Sequence, residues 1–287
     1  MAKPLLLAKP LLLGHHKIFA DLRKLAKEGK LAHGYLLYGP PQVGKRTFAV
    51  AFARFLEGAA EEPERTLSDA LVLLPGVNGS LGIDEARAAR RFLTQAPFQS
   101  SRRTLIIAQA DNLTDEAQNA LLKITEEPPA SALILLALSD PESLRPTLQS
   151  RFQKIYFPPL AAAEIAGWLA QEKACPPAQT EKIAKWSLGR PGLAWQMCTD
   201  AGLRADLKSA DKFLKAKPGE RKALAKEMAA EEDFKLDRLL DALLIVGAQT
   251  RRQDIGFWHS VLELRRKNSY FNLNPRLQLN ALAAQLE

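Results

Sequence analysis

One stretch constrains the chain more than any other. A short apolar run, Tyr35 to Tyr38, leads into Gly39, Pro40, Pro41, Gln42, Val43, Gly44, Lys45 and Arg46. Helix-spaced apolar residues follow at Phe48, Ala51, Phe52 and Phe55. The pattern is G-x-x-x-x-G-K between a strand and a helix, the context in which it carries meaning. Glycines at both ends let the backbone turn its N–H groups toward phosphate oxygens. The helix that follows adds its positive end, and Lys45 adds a full charge. The next position departs from the pattern. A Ser or Thr there puts its hydroxyl on Mg²⁺, whereas this chain has Arg46, with Thr47 one residue late. A guanidinium has no lone pair for a cation. Arg46 reads as a solvated helix residue, with a phosphate contact as the second reading.

Around this loop, helical and strand patterns alternate. Strands are expected at Ala70 to Leu74, Thr104 to Ala108, Ala132 to Leu138 and Lys154 to Phe157. Helices are expected at Ile18 to Ala26, Asp84 to Thr94, and from a Thr114 cap to about Glu127, where Pro128 and Pro129 stop it. Buried strands alternating with helices imply an α/β fold with a mostly parallel sheet covered on both faces. Beyond Pro158 and Pro159 only helical segments appear: 161–172, 181–186, 193–198, a basic alanine-rich stretch 203–226, then 234–248, 256–266 and 275–286. The expected organisation is an α/β domain over 1–158, a small helical domain over 159–202 and a helical tail domain over 203–287. The segment 234–248 is apolar enough to pack on partners as well as on its own core.

The chain has 287 residues and a formal net charge of +8, a mild basic excess compatible with a nucleic-acid partner. No stripe of interleaved aromatic and basic residues appears, which argues against a stand-alone single-strand binder. Cys175 and Cys198 are far apart in sequence, and neither pairs with a histidine at ligand spacing, so no metal site and no zinc are expected. Scarce cysteine fits a reducing compartment. The N-terminus repeats Ala-Lys-Pro-Leu-Leu-Leu in tandem, with Pro4 and Pro10 breaking the apolar runs, so no signal-peptide core forms. No stretch approaches the roughly 18 apolar residues of a membrane span. A cytoplasmic protein without membrane contact is expected.

A hydrolysing enzyme with this loop needs an acid at the end of a buried strand to hold Mg²⁺, and usually a second to orient water. The candidate strand ends in Ala108 and Gln109. Asp111 is the nearest acid, lies too far along, and is expected to cap the turn before Leu113. With Arg46 as well, loss of hydrolysis is the expectation, and no metal ligands are assigned.

Several stretches resemble the delta-prime subunit family of the bacterial DNA polymerase III clamp loader, of the AAA+ superfamily. They are Gly14 to Ile18, Leu31 to Tyr35, Gly39 to Thr47, Asn119 to Pro129 and Ser150 to Phe152, with weaker similarity at Gly189 to Ala194. The resemblance implies an AAA+ α/β domain, a helical lid over 159–202 and a helical collar over 203–287. Gamma/tau subunits carry an Asp-Glu pair where this chain has Ala108 and Gln109. Gly192 stands where active relatives carry a γ-phosphate-sensing arginine, with Arg190 out of register. Together with Arg46, these make three losses that separate the chain from gamma/tau, which shares the Asn119 to Pro129 stretch. The zinc module common after the loop helix is absent from Glu57 to Ser68. Ser150 and Arg151 match the Ser-Arg-Cys motif, with Phe152 for the cysteine. That match implies Arg151 as an arginine finger reaching a neighbouring subunit's ATP site.

The resemblance thus implies a non-hydrolysing subunit of the DNA polymerase III holoenzyme and of its heteropentameric sliding-clamp loader in DNA replication. Its partners would be gamma/tau and delta, with the clamp and primer-template DNA met through the complex. It needs no cofactor, though weak nucleotide binding at the loop stays open. The alternative is an active clamp-loader ATPase of the gamma/tau type.

Overall fold

The structure is a computed structural model that describes residues 13–62, 64–230, 234–270 and 274–286. All but the last residue of the N-terminal tandem repeat lies outside the described residues. The chain divides into two compact units. One comprises 1–165 with 189–192, and the other comprises 166–188 with 193–287. The segment expected as a lid, 159–202, is therefore shared between them.

In the first unit α1 (His16–Lys27) precedes β1 (Gly34–Tyr38) and α2 (Lys45–Leu56). There follow β2 (Ala70–Leu73), α3 (Ile83–Leu93), β3 (Arg103–Ile107), α4 (Asp115–Glu126), β4 (Ala132–Leu138), α5 (Pro146–Gln149) and β5 (Gln153–Tyr156). The strands form one parallel sheet in the order β2-β3-β4-β1-β5. Side chains alternate across a strand, and here both faces are used. Leu36, Leu105, Ile107, Ile134 and Leu136 pack under α3 and α4. Tyr35, Leu37, Ile106, Leu133 and Leu135 pack on the other face with Phe48 and Phe52 of α2. This is the two-sided burial expected from unbroken apolar runs. β5 is the exception, with Gln153, Lys154 and Tyr156 exposed, as suits an edge strand. Thr114 caps α4 as expected, its side chain accepting from the Ala117 N–H at 3.2 Å.

The β2 end of the sheet is tied by a buried carboxylate. Asp69, just before β2, accepts backbone N–H bonds from Phe98, Gln99 and Ser100 at 2.6–2.8 Å. It also pairs with Arg103 at 3.1 Å, and its side chain is fully buried. Burial alone would raise the Asp69 carboxyl, but the three N–H donors, with Arg103 adding to them, outweigh it and hold it below the usual carboxylate range.

In the second unit lie most of α6 (Ala162–Gln171), α7 (Pro177–Trp186), α8 (Pro191–Thr199), α9 (Ala201–Lys215), α10 (Pro218–Met228), α11 (Leu236–Thr250), α12 (Ile255–Tyr270) and α13 (Pro275–Gln285). The basic stretch 203–226 breaks into α9 and α10 because Pro218 opens the new helix, where its missing N–H costs nothing. The core gathers Phe213, Leu240, Leu243, Val246, Phe257, Val261 and Leu279. Gly247 lets the Phe257 ring approach, since a Cβ there would stand 2.3 Å from it. The packing of 234–248 on the chain's own core is as expected. Leu236, Leu239, Leu240, Leu243 and Val246 are all buried in the chain's own core. Among the described residues no helix is long and apolar enough to cross a membrane.

Asp69→Ala is expected to destabilise the protein by about 3–5 kcal/mol, because it takes from Arg103 its only carboxylate partner among the described residues and leaves three N–H donors without their acceptor. The folded-state pKa is depressed, so this stability is present above the pH where a free carboxylate ionises. It is lost as acid takes the pH down through the folded value. Urea unfolding across an acid series checks both: the variant should be weaker at neutral pH and lose less on acidification.

Candidate functional site

β1 delivers the chain into the glycine loop, and the loop's shape follows from close backbone contacts. Gly39 has φ 141°, and a Cβ on it would lie 2.3 Å from the Phe157 carbonyl oxygen. Only glycine fits there. Phe157 is held in place by donating its N–H to Tyr38 O at 2.7 Å. Pro40 is partly exposed, Pro41 and Gln42 are exposed, and Val43 is fully buried and fixes the loop to the α2 face. Gly44 caps α2 at φ 105° with open space on its Cβ side.

Lys45 is 8% exposed and turns back over the loop. Its Nζ donates to Gly39 O at 2.6 Å and Pro40 O at 2.7 Å. Burial lowers its pKa to about 8, with the charge of Asp111 opposing that shift. Arg46 is exposed on the first turn of α2.

Two features of the loop were not read from sequence. His15, itself left-handed at φ 54°, places Nε2 3.2 Å from Val43 O and its ring 4.6 Å from that of Phe157. Burial lowers the His15 pKa, which favours the neutral imidazole. Gly192 donates its N–H to Gln42 O at 3.0 Å, and a Cβ there would come within 3.0 Å of Gln42. Gln42 itself sits at φ 63°. The signals were present as Gly14-His15 and Gly189 to Gly192, but no spacing rule links either to residue 42 or 43.

Across the strand ends, β3 stops at Ile107. Ala108 donates its N–H to Leu73 O at 3.0 Å, and Gln109 is exposed. Asp111 lies in a single 3-10 turn, 110–112, and the expectation that it caps its own turn is corrected. Its two oxygens accept the Ser139 N–H at 2.8 and 2.9 Å, and one accepts from Asp140 N–H at 3.2 Å. The Ser143 hydroxyl adds a bond at 3.4 Å. Asp111 therefore ties the end of β3 to the end of β4. The register that brings residue 139 beside residue 111 belongs to the sheet, so local spacing could not show it. Among the described residues no three His, Cys, Asp or Glu side chains converge as a metal group.

Ser150 and Arg151 follow α5, and α4 holds this segment at two points. Buried Gln118 accepts the Arg145 N–H at 2.8 Å and donates to Leu113 O and Ser143 O. The Arg145 side chain reaches Asp115 and Asn119, each at 3.1 Å. At the last residue of α4, Glu126 takes Arg151 at 2.6 Å, and Arg151 also donates to Thr147 O. The Ser150 hydroxyl donates to Thr147 O at 3.1 Å. Phe152 is 8% exposed and lies against Gly34, where a Cβ would stand 2.4 Å from its ring. Phe152 thus anchors the residue next to Arg151 in the sheet core.

A family model described as DNA polymerase III, delta subunit matches residues 14–161, just over half of the chain. Replication factor C subunit 3 of Saccharomyces cerevisiae is 34% identical over 110 residues, which is 38% of this chain and 30% of that protein. DNA polymerase III subunit gamma/tau of Mycobacterium tuberculosis is 31% identical over 123 residues, 38% of this chain and 21% of that protein. The chain thus spans less than a third of the length of these curated relatives. Among solved structures, a DNA polymerase III gamma subunit-related protein from Thermotoga maritima superposes with TM-score 0.57 at 21% identity, covering 92% of this chain and 97% of that one. The Thermotoga maritima RuvB Holliday junction branch migration motor gives TM-score 0.51 at 18% identity, covering 96% and 82%. Both are likenesses of fold.

Gly39→Ala and Gly44→Ala separate the loop's two constraints. Both sites have positive φ, but only at Gly39 does a methyl group meet fixed backbone. Gly39→Ala should lower the denaturant midpoint clearly more than Gly44→Ala, whose cost is the strained backbone alone, on the order of 1–2 kcal/mol. Equal midpoints would remove Phe157 as the determinant.

Proposed function

The chain belongs to the DNA polymerase III delta subunit family, an AAA+ clamp-loader family, and on that premise we propose that it is the non-hydrolysing delta-prime subunit of a sliding-clamp loader in DNA replication. The observation that carries this reading is the strand end at Ala108 and Gln109. No carboxylate stands there, and both oxygens of the nearest acid, Asp111, are occupied by backbone N–H groups. Arg46 removes the hydroxyl ligand as well. The loop retains its anion-facing glycines, but Mg²⁺ has no protein anchor beside it, and in-line attack by water needs that ion. Its partners would be gamma/tau and delta subunits in a heteropentamer, with a helical lid and collar and a cytoplasmic location.

In this reading Arg151 serves a neighbour's ATP site. Its pairing with Glu126 does not oppose that role. The two side chains are 28% and 51% exposed, and such surface pairs contribute about 0–1 kcal/mol. A guanidinium stabilising the transferring phosphoryl group contributes about 10³–10⁵ in rate, far more than the cis contact. α4 and Phe152 hold the backbone on either side, so the arginine would be presented from a rigid base.

The purified chain is expected to hydrolyse no ATP above background with Mg²⁺ present. Turnover that disappears in Lys45→Ala would support the gamma/tau-type ATPase instead. In a loader rebuilt with gamma/tau and delta, Arg151→Ala should lower clamp- and DNA-stimulated hydrolysis without impairing assembly. Arg151→Lys should restore it only in part, lacking the planar fork. An unchanged rate with the variant incorporated would refute the role in trans.

Phosphate or nucleotide binding at the loop should be weak and gain little from Mg²⁺. It should decline as pH rises through about 8, where Lys45 loses its charge. Calorimetric titrations one unit either side of that value check this.

A further inference from the structure

Both cysteines of the chain lie in the helical unit, with all of α7 between them in sequence. The rings of Trp168 on α6 and Trp195 on α8 stand 5.5 Å apart. Past the end of α6 the chain reverses, with Lys173 at φ 50° and the Ala174 N–H returning to Leu169 O at 3.1 Å. Cys175 follows directly. On α8, Cys198 is three residues beyond Trp195, the next position along the same face of the helix.

Both thiols are free and partly buried, and the Cys175 side chain interacts with that of Cys198. Cys175 Sγ also stands 3.7 Å from Thr180 Oγ1 on α7. Arg204 donates to the Cys198 carbonyl and lends positive charge beside the thiol. No other cysteine exists in the sequence to compete for either partner.

We propose that Cys175 and Cys198 form a reversible intramolecular disulfide under peroxide, a redox-responsive staple between the end of α6 and the end of α8. Burial and the Cys175 thiol push Cys198 up to about 12, so Cys198 keeps its proton at neutral pH. In the proposed order Cys175, which lies outside any helix, is the thiolate that meets peroxide first. Its sulfur takes one oxygen of hydrogen peroxide, the O–O bond breaks, and hydroxide leaves, giving a sulfenic acid. The Cys198 sulfur attacks that sulfur, and the S–O bond breaks. The departing hydroxyl leaves as water with the Cys198 proton. The two thiols are oxidised by two electrons, and peroxide is reduced to two waters. The covalent ring so closed contains Gly189 to Gly192, the segment whose Gly192 N–H binds Gln42 O of the glycine loop.

The experiment treats the full chain with hydrogen peroxide and follows alkylation and intact mass. The expected result is joint loss of both alkylatable thiols in a monomer lighter by two hydrogen atoms, reversed by dithiothreitol. Closing the loop removes freedom from the unfolded chain, so Tm should rise on oxidation. In Cys198→Ser the sulfenic acid on Cys175 should persist and be trapped by dimedone. In Cys175→Ser, Cys198 should stay alkylatable through the same treatment. Independent oxidation of the two sulfurs to sulfinic acid in the unmodified protein would overturn the proposal, as would cross-linking only between chains.

Discussion

Everything at the candidate site depends on all five strands running the same way. In a parallel sheet every carboxyl end lies along one edge, and loops leaving that edge meet one another. β1 lies between β4 and β5, so the glycine loop after Tyr38 emerges beside Phe157, which follows β5. Asp111 after β3 reaches Ser139 after β4, and its charge is felt at Lys45. The strands can be held this way only because both faces are buried. Leu36 and Leu37 of β1 are both fully inaccessible and belong to opposite cores. Shifting any central strand by one residue would exchange those cores, which fixes the register and with it the edge.

On that frame, small contacts decide what the loop can do. The Gly39 approach to Phe157 sets the path of the loop, and His15 and Gly192 brace it at Val43 and Gln42. Lys45 closes over it onto two carbonyls. An anion entering the loop would have to compete for an ammonium already hydrogen-bonded twice. This is a second physical reason, beside the missing carboxylates, for expecting only weak binding.

The stretch Asn119 to Pro129, one of those that carry the family resemblance, has a structural explanation in the chain itself. With the adjoining Gln118 it grips the segment from Ser143 to Arg151 at both ends, through Arg145 and through Glu126. Its apolar residues Leu121 and Ile124 meanwhile sit in the sheet core. The motif is thus a bracket that fixes the arginine-bearing turn to the sheet.

The strand and helix periodicities, the glycine loop and the two strand-end positions without acid were legible in the sequence, because each is set by neighbours a few residues apart. The sequence alone also determined that a glycine-bounded loop, Gly39 to Lys45, joins β1 to α2 and that Ala108 and Gln109 supply no carboxylate. Other features came only from the tertiary structure. Asp111 serves Ser139 rather than its own turn. Gly192 meets Gln42, Arg151 meets Glu126, and the two cysteines come together. These contacts join residues far apart in the chain. Their partners were chosen by strand order and helix packing, which are collective outcomes of burying both faces of one sheet and the interior of one helical unit, and no local pattern encodes them.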